Sequence, residues 1–156
     1  MKTIKYFFEF IFIYTLLIIF KIIGYKNASN LGAIIGKKIG PLFRSNTKIE
    51  SNLKNSNIGS SQKDRRSIIN NMWGNYGRIL SEYVYLKQFK KNNLIQFIEI
   101  EGLNYLNEIK NNNEQAVFIS GHFNNFELMA MEIEKAGINL CAIYRPLNNP
   151  FLNIQF

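Results

Sequence analysis

The chain of 156 residues contains one cysteine, one histidine and one aspartate. A single cysteine excludes a disulfide framework and a cysteine-built zinc site, and a single histidine excludes a multi-histidine metal centre. Charged residues make up only 19% of the chain, below the roughly 25% usual in soluble domains. Hydrophobic residues reach 47%. That excludes a disordered charged tail, because such tails lack the apolar residues to build a core. The length suits one compact domain of ordinary size rather than two. No internal repeat is visible. Thirteen Phe and eight Tyr supply aromatic material for a core or a membrane interface.

The net charge of +8 is unevenly spread. Residues 1–98 hold 16 Lys/Arg against 4 acids, and residues 99–156 hold 3 against 7. A basic N-terminal part suits nucleic acid, an anionic membrane surface or an acidic protein. The first segment chooses among them. Residues 6–23, YFFEFIFIYTLLIIFKII, are apolar apart from polar Thr15 and the charged Glu9 and Lys21. A bilayer-spanning helix needs about 20 mostly apolar residues, and charges near its ends reach the interface. Lys2 and Lys5 ahead of the run resemble the start of a signal peptide. Yet Gly24-Tyr25-Lys26-Asn27 offers no small-x-small cleavage site. Residues 1–24 therefore read as an uncleaved membrane anchor, with a helix lying in the interface as the alternative. Lys21 at the end of the run and Lys26, Lys37 and Lys38 after it outnumber Lys2 and Lys5 before it. By the positive-inside rule the remainder is expected in the cytoplasm, a reducing compartment that suits a lone thiol.

Residues 25–95 read as a helical basic segment. In ASNLGAIIGKKIGPLF (28–43), Leu31, Ile34, Ile35 and Ile39 recur at helical spacing. Glycines at 32, 36 and 40 permit close packing while weakening an isolated helix. A helix packed on the domain is one reading and a membrane-surface helix the other; Pro41 ends it either way. Ile68, Ile69, Met72, Trp73, Tyr76, Ile79, Leu80, Tyr83 and Val84 recur at steps of three and four and predict one broad apolar face of a helix over about 64–87. Ser61 and Asp64 supply its start. Arg65, Arg66, Arg78, Lys87, Lys90 and Lys91 read as solvated-face charges, with phosphate contact as the alternative.

The period then changes. FIEIE (97–101), AVFIS (116–120) and NLCAIY (139–144) read as strands, and residues 103–110 and 125–136 as helices, the second closed by Gly137. This βαβαβ order predicts an α/β fold: the start of a mostly parallel sheet over residues 96–156, incomplete as a domain. Sites in such sheets lie beyond the carboxyl ends of the strands, which points to the segment after AVFIS.

That segment, GHFNNFE (121–127), holds the only histidine. In one helix His122 and Glu127 would stand about 140° apart around the axis. With His122 in a turn and the helix starting near Asn124, the ring can fold back on the carboxylate. Glu127 would then accept the Nδ1 proton and leave Nε2 free as a base. A nearby helix N-terminus favours neutral imidazole and stabilises developing negative charge. The competing reading makes Asn124 the N-cap and Glu127 its capping-box partner, serving the helix alone. Phe123 and Phe126 read as walls, and Cys141 as a small core residue.

GHFNNFEL resembles the H-x4-D/E block of membrane acyltransferases. In detail it is similar to the bacterial lipid A biosynthesis acyltransferases of the lauroyl/myristoyl type, whose versions read much like H-F-G-N-W-E. The order of the other blocks agrees: LGAIIG, Asn52-Leu53, MWGNYGRILSEY (72–83), IEIEGLNYL (98–106) and YRPLNNP (144–150). The resemblance implies transfer of a fatty acyl group from acyl carrier protein to a hydroxyl of a lipid A precursor, in lipopolysaccharide biosynthesis. It implies no cofactor and no metal, because a thioester is already activated. His122 would be the general base, a role worth about 10²–10⁴-fold, and Glu127 its orienting partner. Arg145 either forms a structural ion pair or binds substrate phosphate or acyl donor through paired hydrogen bonds. Asn125 is a second candidate for substrate binding. The implied partners are acyl carrier protein, the precursor glycolipid and the inner membrane, with the catalytic part cytoplasmic; the basic N-terminal half fits them. Nucleic acid is not expected, since no recognition motif accompanies the charge. Relatives continue for roughly as long again, so the chain is expected to be a fragment or a truncated reading frame. A non-catalytic membrane-anchored binding module, or an acyltransferase for another glycolipid, is the alternative.

Overall fold

A computed structural model describes residues 2–121, 124–143 and 146–153. It forms two compact units. One is Leu17–Val84, and the other joins the residues up to Leu16 with those from Tyr85 onward. The first helix, α1 (Lys2–Ile23), runs through the apolar segment and ends at Gly24, whose φ of 82° breaks the helical path.

The unit Leu17–Val84 is built from α2 (Tyr25–Phe43), α3 (Asn46–Asn55) and α4 (Gln62–Glu82). The glycines at 32, 36 and 40 place α2 directly on α4. A Cβ on Gly32 would meet the Gly77 carbonyl oxygen and, at 2.6 Å, Ser81 Oγ. A Cβ on Gly36 would strike the Trp73 carbonyl, and one on Gly40 the Trp73 ring. Each glycine weakens an isolated helix by about 1 kcal/mol relative to alanine. Backbone contact at Gly32 and Gly36, and contact with the Trp73 ring at Gly40, offset that through close packing. The buried stripe of α4 is therefore Ile69, Gly74, Gly77 and Ser81. The broad apolar face expected from periodicity is corrected accordingly: Tyr76 is 60% exposed, and Ile68 and Leu80 are also exposed. Pro41 lies inside α2, which ends two residues later. α4 starts where Ser61 and Asp64 were expected to begin it, and the two form a capping box. Hydrogen bonds from the Ser60 and Ser61 side chains and the Ser61 backbone hold the Asp64 carboxyl below its ordinary range.

In the other unit, α5 (Leu86–Lys90) packs against α7 (Glu127–Lys135), and α6 (Leu103–Asn111) lies between them in sequence. Phe89, Met131 and Ile133 are buried at the α5 and α7 positions. Lys90 pairs with Glu134 at 3.3 Å, and Lys135 with Glu132 at 2.6 Å. Gly137, at φ 85°, closes α7 as expected.

The expected parallel α/β sheet is not formed. Among the described residues every regular element is helical, and 116–120 and 139–143 are irregular. Val117, Ile119 and Ile143 are at least 89% exposed, where two-sided burial was expected. An apolar run does not specify what covers it, and a strand exists only as part of a ladder with a neighbour. These segments have no such neighbour among the described residues. Cys141, in the same stretch, is exposed rather than in a core.

Candidate functional site

The site expected after residue 120 is built on the approach to α7. Ser120 and Gly121 are exposed and irregular. Asn124 has a φ of 49°, the left-handed conformation that asparagine tolerates better than most residues. The carbonyls of Asn125 and Phe126 then accept from the Leu128 and Met129 amides at 3.2 and 3.1 Å. Regular helix begins at Glu127, not at 125. Phe126 takes the N-cap position and no side chain caps the helix, so the Asn124–Glu127 capping box is absent. Glu127 instead stands half-buried at the first position of α7, where free amides gather. Asn125 is half-buried two residues before it. His122 and Arg145 lie outside the described residues, and with them the geometry expected of the His122–Glu127 pair.

An apolar groove of about 770 Å³ runs beside α7. Phe97, Ile100, Leu106, Phe118, Leu128 and Ile133 line it, with Glu101 and Glu132 among the few charged groups. Among the described residues no three His, Cys, Asp or Glu side chains come together where a metal ion could sit.

Two polar arrangements escaped sequence reasoning. Arg78, read as a solvated charge, donates through Nη1 to Ser29 Oγ and Asn30 Oδ1, both at 3.1 Å. Ser29 Oγ in turn donates to Glu82 Oε1 at 3.0 Å. Burial, and then the nearby Glu82 carboxylate, push the Tyr25 phenol above its ordinary pKa. The available signal was the i, i+4 spacing of Arg78 and Glu82 beside the glycine stripe. The second arrangement lies in the block YRPLNNP. Asn149 is 6% exposed, and its Nδ2 donates to the Tyr6 carbonyl at 2.9 Å and to Glu9 Oε2 at 3.5 Å. Its Oδ1 accepts from the Phe151 amide, and the Phe151 ring lies against Phe7 and Phe10. No local pattern announces a contact across so much chain.

The family model for bacterial lipid A biosynthesis acyltransferases matches residues 1–156, from the start of α1 through the GHFNNFE and YRPLNNP blocks. The chain belongs to that family. No curated protein and no solved structure matches it. Membership in the bacterial lipid A biosynthesis acyltransferases makes acyl transfer the relevant chemistry and a lipid A precursor the relevant class of acceptor. It also sets α1 in context, because a lipid-modifying enzyme must meet its acceptor at a membrane, and α1 is long and apolar enough to cross one.

Proposed function

We propose that the protein transfers a fatty acyl group from an acyl carrier protein thioester to a hydroxyl of a lipid A precursor, at the cytoplasmic face of the inner membrane. The observation that carries the reading is the family match over residues 1–156, which includes the H-x4-E block. Residues 1–24 provide membrane attachment, residues 25–95 a basic helical segment, and residues 96–156 the catalytic block. His122 Nε2 takes the proton of the acceptor hydroxyl as its oxygen attacks the thioester carbonyl. The tetrahedral oxyanion collapses, and the carrier thiol leaves with a proton returned from the imidazolium. Glu127 holds Nδ1–H and stabilises the cation. Asn125 contributes an amide to substrate, and Arg145 binds phosphate of the glycolipid or of the carrier's prosthetic arm.

Charge supports anionic partners. The unit Leu17–Val84 holds 11 Lys/Arg against 3 acids, whereas the rest of the chain holds 8 against 8. The whole net charge thus belongs to one unit, as expected of a surface that meets anionic glycolipid or an acidic carrier. The apolar groove beside α7 supports an acyl substrate in its turn.

The test is transfer of a radiolabelled acyl chain from carrier protein to precursor, by the protein as its cell makes it. His122→Ala should abolish nearly all transfer, because no second histidine exists to replace the base. Full activity in that variant overturns the mechanism. Membrane binding without transfer by the native protein favours a non-catalytic module instead.

A further inference from the structure

We propose that Arg78 binds the phosphate of a membrane lipid headgroup, a site within the unit Leu17–Val84 and additional to the phosphate contact assigned to Arg145. The proposal rests on the reading of α1 as the membrane attachment. The geometry begins at Ser29, which is 8% exposed. Its hydroxyl proton goes to Glu82 Oε1 at 3.0 Å, so its oxygen turns a lone pair to Arg78 Nη1 at 3.1 Å. Asn30 Oδ1 accepts from the same nitrogen at 3.1 Å. Tyr25 adds a hydrogen bond to Glu82. Glu82 lies one turn beyond Arg78 on α4, at a spacing where opposite charges meet on a helix face. Here Ser29 bridges them instead, and among the described residues Arg78 forms no ion pair. Two neutral oxygens hold the guanidinium, and no carboxylate neutralises it by direct contact.

Holding the group by Nη1 leaves its other edge open. Nε–H and Nη2–H point the same way and can grip two oxygens of one phosphate at once. Among the described residues neither makes a hydrogen bond, and neither is closed off from solvent. A guanidinium already fixed in place loses less freedom on binding than a loose surface lysine does. Position then selects the ligand. The apolar run of α1 ends at Ile23, and Ile18, Ile19 and Ile22 near that end are exposed. Asn30 follows Gly24 by six residues, at most about 9 Å along α2. The headgroup layer on each side of the hydrocarbon is of similar depth, about 5–8 Å. With α1 in the membrane, Arg78 therefore stands at headgroup level, where tyrosines such as Tyr25 also gather. Lys21 and Lys26, on either side of Gly24, add positive charge there. Lipid phosphate is concentrated at that level, whereas a free anion is not.

Side-chain NMR of the full chain in neutral maltoside micelles tests the site. The chain has five arginines, and the Arg78 Nε–H signal is identified by its through-bond link to the Arg78 amide, so the native titration needs no variant to fold. Phosphatidate should shift that signal saturably. Diacylglycerol, the same lipid without its phosphate, should leave it in place. Ser29→Ala removes the hydroxyl that holds Nη1 and should weaken the titration about three- to tenfold, the cost of ordering one side chain on binding, with Trp73 fluorescence unchanged. A signal that ignores phosphatidate overturns the site. An equal shift from inorganic phosphate at matched concentration overturns the headgroup as its source. Sedimentation with neutral phosphatidylcholine vesicles tests the attachment by itself. A chain left in the supernatant overturns that reading and the headgroup assignment with it, whereas a chain that pellets while its Arg78 signal ignores phosphatidate overturns the site alone.

Discussion

Gly77 lies so close to Gly32 that a Cβ on either residue would fall on the other's carbonyl oxygen. Both oxygens belong to helical backbone and cannot swing aside like the end of a side chain. Gly77→Ala should therefore destabilise the α2–α4 pair by about 1–3 kcal/mol or more, the range for forcing extra atoms into a packed core. Trp73 is the only tryptophan; its ring adjoins Gly40, and its Nε1 donates to Asn46 at 3.0 Å. Its fluorescence during urea unfolding reports on this unit. The exposed control Asn70→Ala should stay within about 0.5 kcal/mol of the native chain. Equal midpoints for Gly77→Ala and the control would refute the seam.

The cap of α4 carries a pH dependence. Asp64 has a folded pKa below its ordinary 3.8, set first by the Ser60 hydrogen bond and then by the Ser61 bonds. A depressed carboxylate stabilises the fold fully above its unfolded pKa, and that contribution fades as pH falls through the folded value. Amide protection factors in the first turn of α4, that is exchange rates divided by the intrinsic rate at each pH, should therefore stay constant from neutral pH down to about 5 and fall below 3.8. Asp64→Asn should remove the acid-side change. If protection in the variant still fell with pH as in the native chain, the cap would not be its source.

Helices were legible in this sequence because their signals are local. The repeat of Leu31, Ile34, Ile35 and Ile39, the Ser61–Asp64 spacing and Gly137 each describe an event within a few residues. The strands were not. AVFIS and NLCAIY carry β-branched apolar residues, but a strand also needs a neighbour that no local pattern supplies. The face of α4 was misjudged for a related reason: weighting by size favoured Tyr76 and Leu80, while the close approach selected Gly74, Gly77 and Ser81. Asn149 and Tyr6 stand 143 residues apart, beyond any periodicity. The H-x4-E block was legible as a motif. Its helix register was not, because the left-handed Asn124 delays α7 to Glu127.

Glu127 provides the sharper test of catalysis. Glu127→Gln keeps the shape of the side chain at the first position of α7 and removes its charge. In the protein as its cell makes it, kcat for acyl transfer should fall about 10²–10⁴-fold with KM nearly unchanged, as for loss of a group that orients and stabilises the base. A matching loss of stability would mark a structural residue instead. Urea midpoints measured beside the kinetics separate the two outcomes.

Arg145 should behave in the opposite way, through binding. A guanidinium meets phosphate oxygens with two parallel donors, whereas an ammonium offers a point charge. One charged hydrogen bond is worth about 1.5–3 kcal/mol, so Arg145→Lys should raise KM about tenfold or more while largely sparing kcat. Arg145→Ala should raise it further. Binding to precursor in mixed micelles, titrated against salt, provides the independent measurement. A phosphate contact should lose affinity with salt in the native protein and show a shallower slope in Arg145→Ala, because one charge fewer is screened. If Arg145 serves only an internal ion pair, both variants lose stability and leave the salt slope unchanged. Such a result would remove it from the substrate site.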